Sequence, residues 1–357
     1  MGIINIHLSK IKYNAVLLQQ MLHHRGIRMI PVTKCMAGDA KVHNMLRDLG
    51  FDLLAESRLK HIPNEQSLRK DFMLIRGSLP EEAMQTVQCT RISLQTEMET
   101  IRALSEAAVQ QRTKHQLLLM VDWKDGREGV LTYEVVLYIR QIMKLKGIAL
   151  RGLAFNFMCY RQMPPTEEDL PYMHRFIEAV EKDTGLHLQT ISGGNSSMLT
   201  LAMYQDLGRI NELRVGEAIF RGYETAYNMR LPQLYSDAIT ITGRILEIKP
   251  CLDLGTHQSY LQAIVDVGQL DTAVNDMMPL DEQLSIVGYT SDVLLLNLGL
   301  ADYYQIGDKV TFNLGYDAIA HSMHSQQLVK NYIEDEGVEL LIQGLVDKKN
   351  EKFTSCY

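Results

Sequence analysis

Long apolar runs, paired cysteine motifs and an excess of basic charge are all missing from this chain of 357 residues. No run approaches the roughly 18 apolar residues that cross a membrane. The start, MGIINIHLSK, has no basic segment followed by an apolar one, so no secretory signal is expected. Ile6 stands where a myristoylation motif wants Ser or Thr. The five cysteines (Cys35, Cys89, Cys159, Cys251 and Cys356) are odd in number and include no C-x-x-C pair. That speaks against a disulfide framework or a zinc site and fits a reducing, cytoplasmic setting. Lys and Arg total 36 against 43 Asp and Glu, a formal charge of −7, and the basic residues are scattered. Nucleic acid is therefore not the expected partner. What is present is an ordinary globular composition, 46% hydrophobic and 22% charged, with length for two domains.

Eight short apolar runs, at 29–35, 51–57, 72–77, 91–96, 116–122, 150–157, 187–194 and 212–219, alternate with amphipathic stretches such as 99–111 and 132–147. Glycines at 26, 50, 147 and 185 close several of those stretches, as helix C-caps do. This alternation predicts an α/β chain folded as a (β/α)8 TIM-type barrel. A doubly wound open sheet is the alternative, but its Gly-x-Gly-x-x-Gly turn is absent: the first run ends TKCMAGD. Beyond residue 230 the pattern changes to β-branched runs at 236–250, 261–268, 283–299 and 308–316, divided by Gly, Asp and Pro. An antiparallel β domain is expected there, with a short helix and a frayed charged tail at the end. The predicted division is a barrel over 1–228 and a β domain over 229–357.

In such a barrel the site lies at the C-terminal ends of the strands, and polar residues gather there. The first run ends in Lys34 and the second in Glu56. The fifth ends in Asp122, followed by Asp125 and Arg127, and the sixth carries Asn156 and then Cys159 and Tyr160. The seventh runs into Ser192-Gly193-Gly194-Asn195-Ser196-Ser197, and the eighth carries Arg214 and Gly216. Glycines let backbone approach a ligand, Asn and Ser supply donors, and a helix start adds unpaired N–H groups, so the SGGNSS loop suits a phosphate. A plain capped turn is the competing reading. Lys34 alone would read as a solvated strand end. Facing a phosphate cradle, it suits covalent attachment of a phosphate-bearing aldehyde, and pyridoxal 5'-phosphate is the cofactor of that description.

These residues resemble the alanine racemase superfamily of fold-type III pyridoxal-phosphate enzymes, most closely its ornithine racemase branch, from IHLSKIKYNA (6–15) to NLGYDAIA (313–320). PVTKCMAGD resembles the family's lysine-bearing strand, which implies that Lys34 bonds the cofactor. VDWKDGREG matches the pattern D-x-x-x-x-R-x-G and implies Arg127 near the substrate carboxylate. The resemblance further implies Asn156 against the cofactor ring, Ser196 at the phosphate and Arg214 at the pyridine nitrogen; Ser192 and Asn195 of the same loop are taken as cofactor-binding residues. Gly216, Glu217 and Tyr316 would complete the phosphate site. Two stretches depart from the family. VDVGQLD (265–271) has Gln269 where alanine racemases carry a catalytic tyrosine, and Gly288-Tyr289-Thr290-Ser291-Asp292 replaces a substrate-carboxylate loop that has a methionine.

The resemblance implies racemisation of an amino acid by α-proton abstraction and return, Lys34 serving one face. It also implies a homodimer with shared active sites. Arg214 cannot accept the ring-nitrogen proton, which favours racemisation over decarboxylation or transamination. Gln269 cannot act as the second base, so Cys159 is the leading candidate, with Tyr160, Asp271 and Asp317 behind it; the other outcome is a reaction without two bases. Ser291 is taken as a substrate contact. Glu56, Asp271 and Asp317 are the carboxylates expected to meet a cationic side chain such as that of ornithine or lysine. His321 and His324 have i,i+3 spacing, weak as a metal motif, and no metal is expected. Alanine or broad-specificity racemisation, a non-catalytic pyridoxal-phosphate carrier and a cofactor-free barrel enzyme are the other readings. The extra β domain counts against a carrier.

Overall fold

The computed structural model describes residues 2–63, 71–253, 255 and 257–354. The chain starts with β1 (Ile3–His7) and the helix Leu8–His23, then enters a parallel sheet through β2 (Arg28–Pro31), β3 (Leu54–Glu56), β4 (Phe72–Leu74), β5 (Ile92–Gln95) and β6 (His115–Asp122). The short β7 (Val130–Leu131) pairs with β6, and the sheet continues through β8 (Ile148–Ala154), β9 (Thr190–Ser192) and β10 (Glu212–Val215). The spatial order β2-β10-β9-β8-β6-β5-β4-β3 is closed by a parallel bridge between Val32 and Ala55, which makes the eight-stranded barrel.

Side chains alternate across each strand, and the core records that period. On β6, Leu117, Leu119 and Val121 belong to the apolar layer between strands and helices, whereas Leu118 and Met120 join Ile30, Val32, Leu94 and Ala154 in a separate interior cluster. The same alternation on β10 puts Leu213 and Val215 in the outer layer, so Glu212 and Arg214 project inside. The helix Leu8–His23 buries Leu8, Ile11, Ala15, Leu18 and Leu22, one stripe at helical spacing.

The second sheet comprises β11 (Ile239–Leu252), β12 (Ser259–Val265), β13 (Met277–Pro279), β14 (Ser285–Tyr289), β15 (Leu294–Asn297) and β16 (Lys309–Leu314), in the antiparallel order β13-β16-β11-β12-β15-β14. β1 joins it, antiparallel to β11 and parallel to β17 (Val329–Ile333). Neither β1 nor β17 is legible in the sequence pattern, and β1 ties residues of the 1–228 segment to the second sheet. Its IINIH is a single strand's worth of alternation that runs straight into a helix; Ile4 and Ile6 are fully buried by the tertiary pairing. Two further differences concern helices. Tyr316–His324 is helical, where the β-branched run was read to residue 316. The C-terminal helix runs from Glu336 to Thr354 rather than stopping short. Val338 and Ile342 anchor it on Val16, helped by Lys12 Nζ at 2.8 Å from Glu339 and by Gln20 Nε2 donating to Leu345 O at 2.9 Å.

Candidate active site

β2 stops at Pro31, so Lys34 does not end a strand but opens a 3-10 turn, Lys34–Met36. Ala37 (φ 53°) and Gly38 (φ 78°) then lead into the helix Ala40–Asp48. Gly38 is required on two counts: its left-handed backbone, and the Cα of His61, which would lie 3.0 Å from an added Cβ. Lys34 Nζ stands 5.8 Å from the ring centroid of Tyr316. Asp276 fixes the start of the Tyr316 helix: its backbone oxygen accepts from Gly315 N at 2.7 Å, and its Oδ2 accepts from Asp317 N at 2.8 Å and Ala318 N at 3.2 Å. Burial pushes the Tyr316 hydroxyl far above its ordinary range, so it stays protonated and can donate.

Inside the barrel Arg214 is buried. Its guanidinium donates to Phe155 O at 2.6 Å, to Ser192 O at 3.3 Å and to Ser192 Oγ. Burial pulls this guanidinium below its ordinary value, opposed by the charge of Glu212 beneath it. Burial likewise raises Glu212, opposed by Ser192 and Arg214. Ser192 is therefore a support for Arg214 and does not line the cavity above it.

The SGGNSS loop is organised by Asn195, whose Oδ1 accepts from Ser197 N at 2.8 Å while its Nδ2 donates to Phe157 O at 2.8 Å and Asn156 Oδ1 at 3.2 Å. Ser196 Oγ accepts from Ala218 N at 3.3 Å, joining this loop to the short helix Glu217–Arg221. Cys159 Sγ accepts from Asn156 Nδ2 at 2.8 Å and from Asn195 Nδ2 at 3.5 Å. Asp125, itself buried, holds the Cys159 loop by accepting from the backbone N–H of Cys159 and of Tyr160, both at 2.9 Å.

Together these elements surround a cavity of about 610 Å³ at the barrel mouth. Lys34, Arg127, Asn156, Cys159, Asn195, Ser196, Arg214, Gly216, Glu217 and Tyr316 all line it, over an apolar floor of Val32, Leu94 and Met120. Sequence reasoning missed Arg76, Glu128 and Thr225, which also line it. A signal existed for two of them: Arg76 follows the third apolar run and Glu128 sits inside DGREG. Among the described residues, the cations Lys34, Arg76, Arg127 and Arg214 face Glu128 and Glu217 as the acidic lining residues. Glu217 pairs with Arg221 and Glu128 with Arg127. Burial raises the Glu217 carboxyl, and the pairing with Arg221 opposes the rise.

Four expected carboxylate or hydroxyl contacts are elsewhere. Glu56 is fully buried, accepting from Thr33 Oγ1 at 2.6 Å beside His43 and His61, and does not reach the mouth. Asp271 closes a turn, its Oδ2 accepting from Gly268 N at 2.9 Å; Ser291 donates to Asp292 at 2.9 Å on the surface; Asp317 is exposed on its helix. None of these three lines the cavity of its own chain. Gln269 N donates to Thr290 O and Leu270 N to Ser291 O, each at 3.0 Å, so the two stretches that depart from the family form one unit. A Cβ at Gly268 would lie 2.4 Å from Ser291 O, which keeps them in contact. Tyr160 is 68% exposed and off the cavity, which leaves Cys159 as the neighbour that faces it. Among the described residues, no group of three or more His, Cys, Asp or Glu is placed to hold a metal ion, and no helix is long and apolar enough to cross a membrane.

Residues 6–224 match the family model for the N-terminal domain of alanine racemase. The ornithine racemase of Acetoanaerobium sticklandii is 29% identical over 349 residues, covering 92% of this chain and 99% of that protein. The lysine racemase of Thermotoga maritima is 26% identical over 346 residues, covering 92% and 97%. Among solved structures, alanine racemase from Bartonella henselae with covalently bound pyridoxal phosphate superposes with a TM-score of 0.73 at 15% identity, covering 93% of this chain and 99% of that one. A barrel with this closure, this order of loops and an appended antiparallel domain, matched over the whole of its barrel by the family model, belongs to the alanine racemase family.

Proposed function

We propose that the protein is a pyridoxal-phosphate-dependent racemase of a basic amino acid, ornithine first and lysine second. The observation that carries the reading is the convergence of Lys34, Tyr316, Ser196 and buried Arg214 on one cavity. The donor set fits the cofactor. Ser196 accepts one hydrogen bond through Oγ and keeps its O–H to donate; Tyr316 has a permanently protonated hydroxyl; Arg214 has five N–H donors, not all of them used by Ser192 and Phe155. Ser197 Oγ, buried in the same loop, has no hydrogen-bond partner.

When bound, pyridoxal phosphate supplies an electron sink that acidifies the α-carbon of the amino acid. Lys34 would hold the cofactor and, as an amine, would take or return the α-proton on one face. Cys159 Sγ, which lines the cavity and is oriented by hydrogen bonds from Asn156 Nδ2 and Asn195 Nδ2, serves the other. Arg214, whose guanidinium can only donate, would leave the cofactor's ring nitrogen unprotonated, which would limit side reactions. Arg127 meets the substrate carboxylate and Glu128 the side-chain ammonium, since a buried unpaired ammonium would cost several kcal/mol. The names of the ornithine and lysine racemases that match over nearly the full length support the basic substrate.

Two chains are proposed to pair with shared sites. Gln269, Leu270 and residues 289–292 of this unit are exposed, and Leu270 (67%) and Met278 (64%) present apolar surface that a partner would cover. Borohydride reduction of the purified protein followed by peptide mapping tests the cofactor, and Lys34 is the residue expected to carry the tag. A chiral assay with ornithine, lysine and alanine tests the substrate; alanine turning over faster than ornithine refutes the assignment. Sedimentation at micromolar concentration should show a dimer.

A further inference from the structure

The fully buried Glu56 is not explained by the substrate role first expected of it. We infer that Glu56 is a positioning residue for Lys34, acting through Thr33, His43 and His61. The inference rests on the reading of Lys34 as the reactive lysine.

The geometry is that of a clamp. Thr33, which immediately precedes Lys34 at the N-cap position of its 3-10 turn, donates from Oγ1 to Glu56 Oε1 at 2.6 Å, and its backbone N–H donates to Ala55 O at 2.9 Å. His43, on the helix that follows the turn, places Nε2 at 3.1 Å from Thr33 Oγ1 and 3.3 Å from Glu56 Oε1. One carboxylate oxygen therefore holds the chain on both sides of Lys34. Because the Thr33 hydroxyl gives its proton to Glu56, it can only accept from His43, which makes Nε2 the protonated nitrogen of that ring. His43 Nδ1, the acceptor nitrogen of this tautomer, is buried with no hydrogen-bond partner.

The other carboxylate oxygen faces the second domain. Glu56 Oε2 accepts from Ser57 N at 3.3 Å and lies 3.5 Å from His61 Nδ1. The His61 ring is 5.4 Å from that of His324, at the end of the helix that begins with Tyr316. Glu56 thus touches, through one intermediate on each side, the turn that carries Lys34 and the helix whose Tyr316 faces it. Burial alone would raise the Glu56 carboxyl, but the hydrogen bonds from His43 and Thr33 and the nearby His61 ring outweigh this and hold it below the ordinary carboxylate range. A buried ionised group with this many directed partners resists rotation, because each displacement leaves a buried polar atom unpaired. That rigidity is what a lysine at the foot of a wide cavity lacks, its own side chain having four rotatable bonds.

The test follows Lys34 in the full-length protein. Thr33→Val keeps the volume and deletes the hydroxyl link; Thr33→Ser restores the hydroxyl. Two readouts are taken: the rate at which trinitrobenzenesulfonate labels Lys34 in the cofactor-free chain at one pH, read by peptide mapping, and kcat and KM in the loaded enzyme. Thr33→Val is expected to change the labelling rate severalfold and to lower kcat by about tenfold to a hundredfold, with KM within about twofold. Thr33→Ser is expected to return both readouts to wild type. A Thr33→Val protein with wild-type labelling and kcat overturns the inference. A loss that Thr33→Ser does not rescue also overturns it, since that marks packing alone. If Thr33→Val does not fold, His61→Gln is judged by the same two readouts, with unchanged labelling and kcat again overturning it. Absence of a borohydride-dependent tag on wild-type Lys34 would instead remove the functional reading, and the cofactor-free labelling then decides the positioning role by itself.

Discussion

The two ends of the barrel are built from the same kinds of charged residue and use them in opposite ways. At the N-terminal ends of the strands, Arg28 and Arg91 pair with Asp52 at 2.7 and 2.9 Å, and Arg47 pairs with Asp71 at 3.0 Å. Asp52 is 64% exposed through its side chain, so water screens its two pairs and each stabilises by at most about 1 kcal/mol. At the C-terminal ends, Arg214 and Glu56 are buried and each is held by several directed hydrogen bonds. There, removing one partner strands another buried polar group, at a cost of about 1–3 kcal/mol or more for a charge. The Asp52 pairs at the bottom lie in water; Arg214 and Glu56 near the mouth fix positions within the barrel.

Substitutions that break this contrast can be ranked. The largest effect is expected for Lys34→Ala, which should lose both the borohydride tag and racemisation, the latter by at least about 10³-fold; residual activity near wild type would move the chemistry to another residue. Cys159→Ser should come next, slowing α-proton exchange from one enantiomer by about 10²-fold while the other exchanges far faster, because Lys34 still serves its own face. Isotope exchange into each enantiomer measures this, and equal loss from both removes Cys159 from the mechanism. Glu128→Gln should raise KM for ornithine by about tenfold with a smaller change for alanine; an equal change for both would leave the ammonium to another group. Asp52→Asn should be nearly silent, within about 1 kcal/mol in urea unfolding at pH 7.

The pH dependence of the bottom web sharpens the same point. Burial would raise Asp52, but hydrogen bonds from Arg91 and Arg28 outweigh it and hold the carboxyl below its ordinary value. A depressed folded value means that this contribution is present above the unfolded pKa of about 3.9 and is lost as pH falls through the folded value. Wild type and Asp52→Asn should therefore differ slightly at neutral pH and converge in acid; a gap that widens below pH about 4 contradicts the sign.

Much of the site was legible before the fold. Lys34, Arg127, Asn156, Cys159, Asn195, Ser196 and Arg214 all follow or end apolar runs, and the barrel rule sends such positions to one mouth. Glu56 obeys the same rule of position and still misses the cavity, because Thr33 and two histidines from other segments enclose it. His43 and His61 carry no sequence signal of this, since their shared partner is a contact between separate elements. Asp271 and Ser291 were read as separate residues near the mouth; they belong to turns bonded to each other on the second domain.

By itself the sequence determined the barrel, the β domain after it and the ring of polar residues at one end, because periods of two and of about 3.6 residues are local consequences of backbone geometry. Only the tertiary structure decided that β1 leaves the barrel segment for the second sheet, that Ser192 supports Arg214 from below, and that Glu56 accepts from Thr33 instead of lining the cavity. Each of those outcomes depends on which buried polar group finds a partner across segments far apart in the chain. Hydrogen bonding of that kind is set by packing, and no local period encodes it.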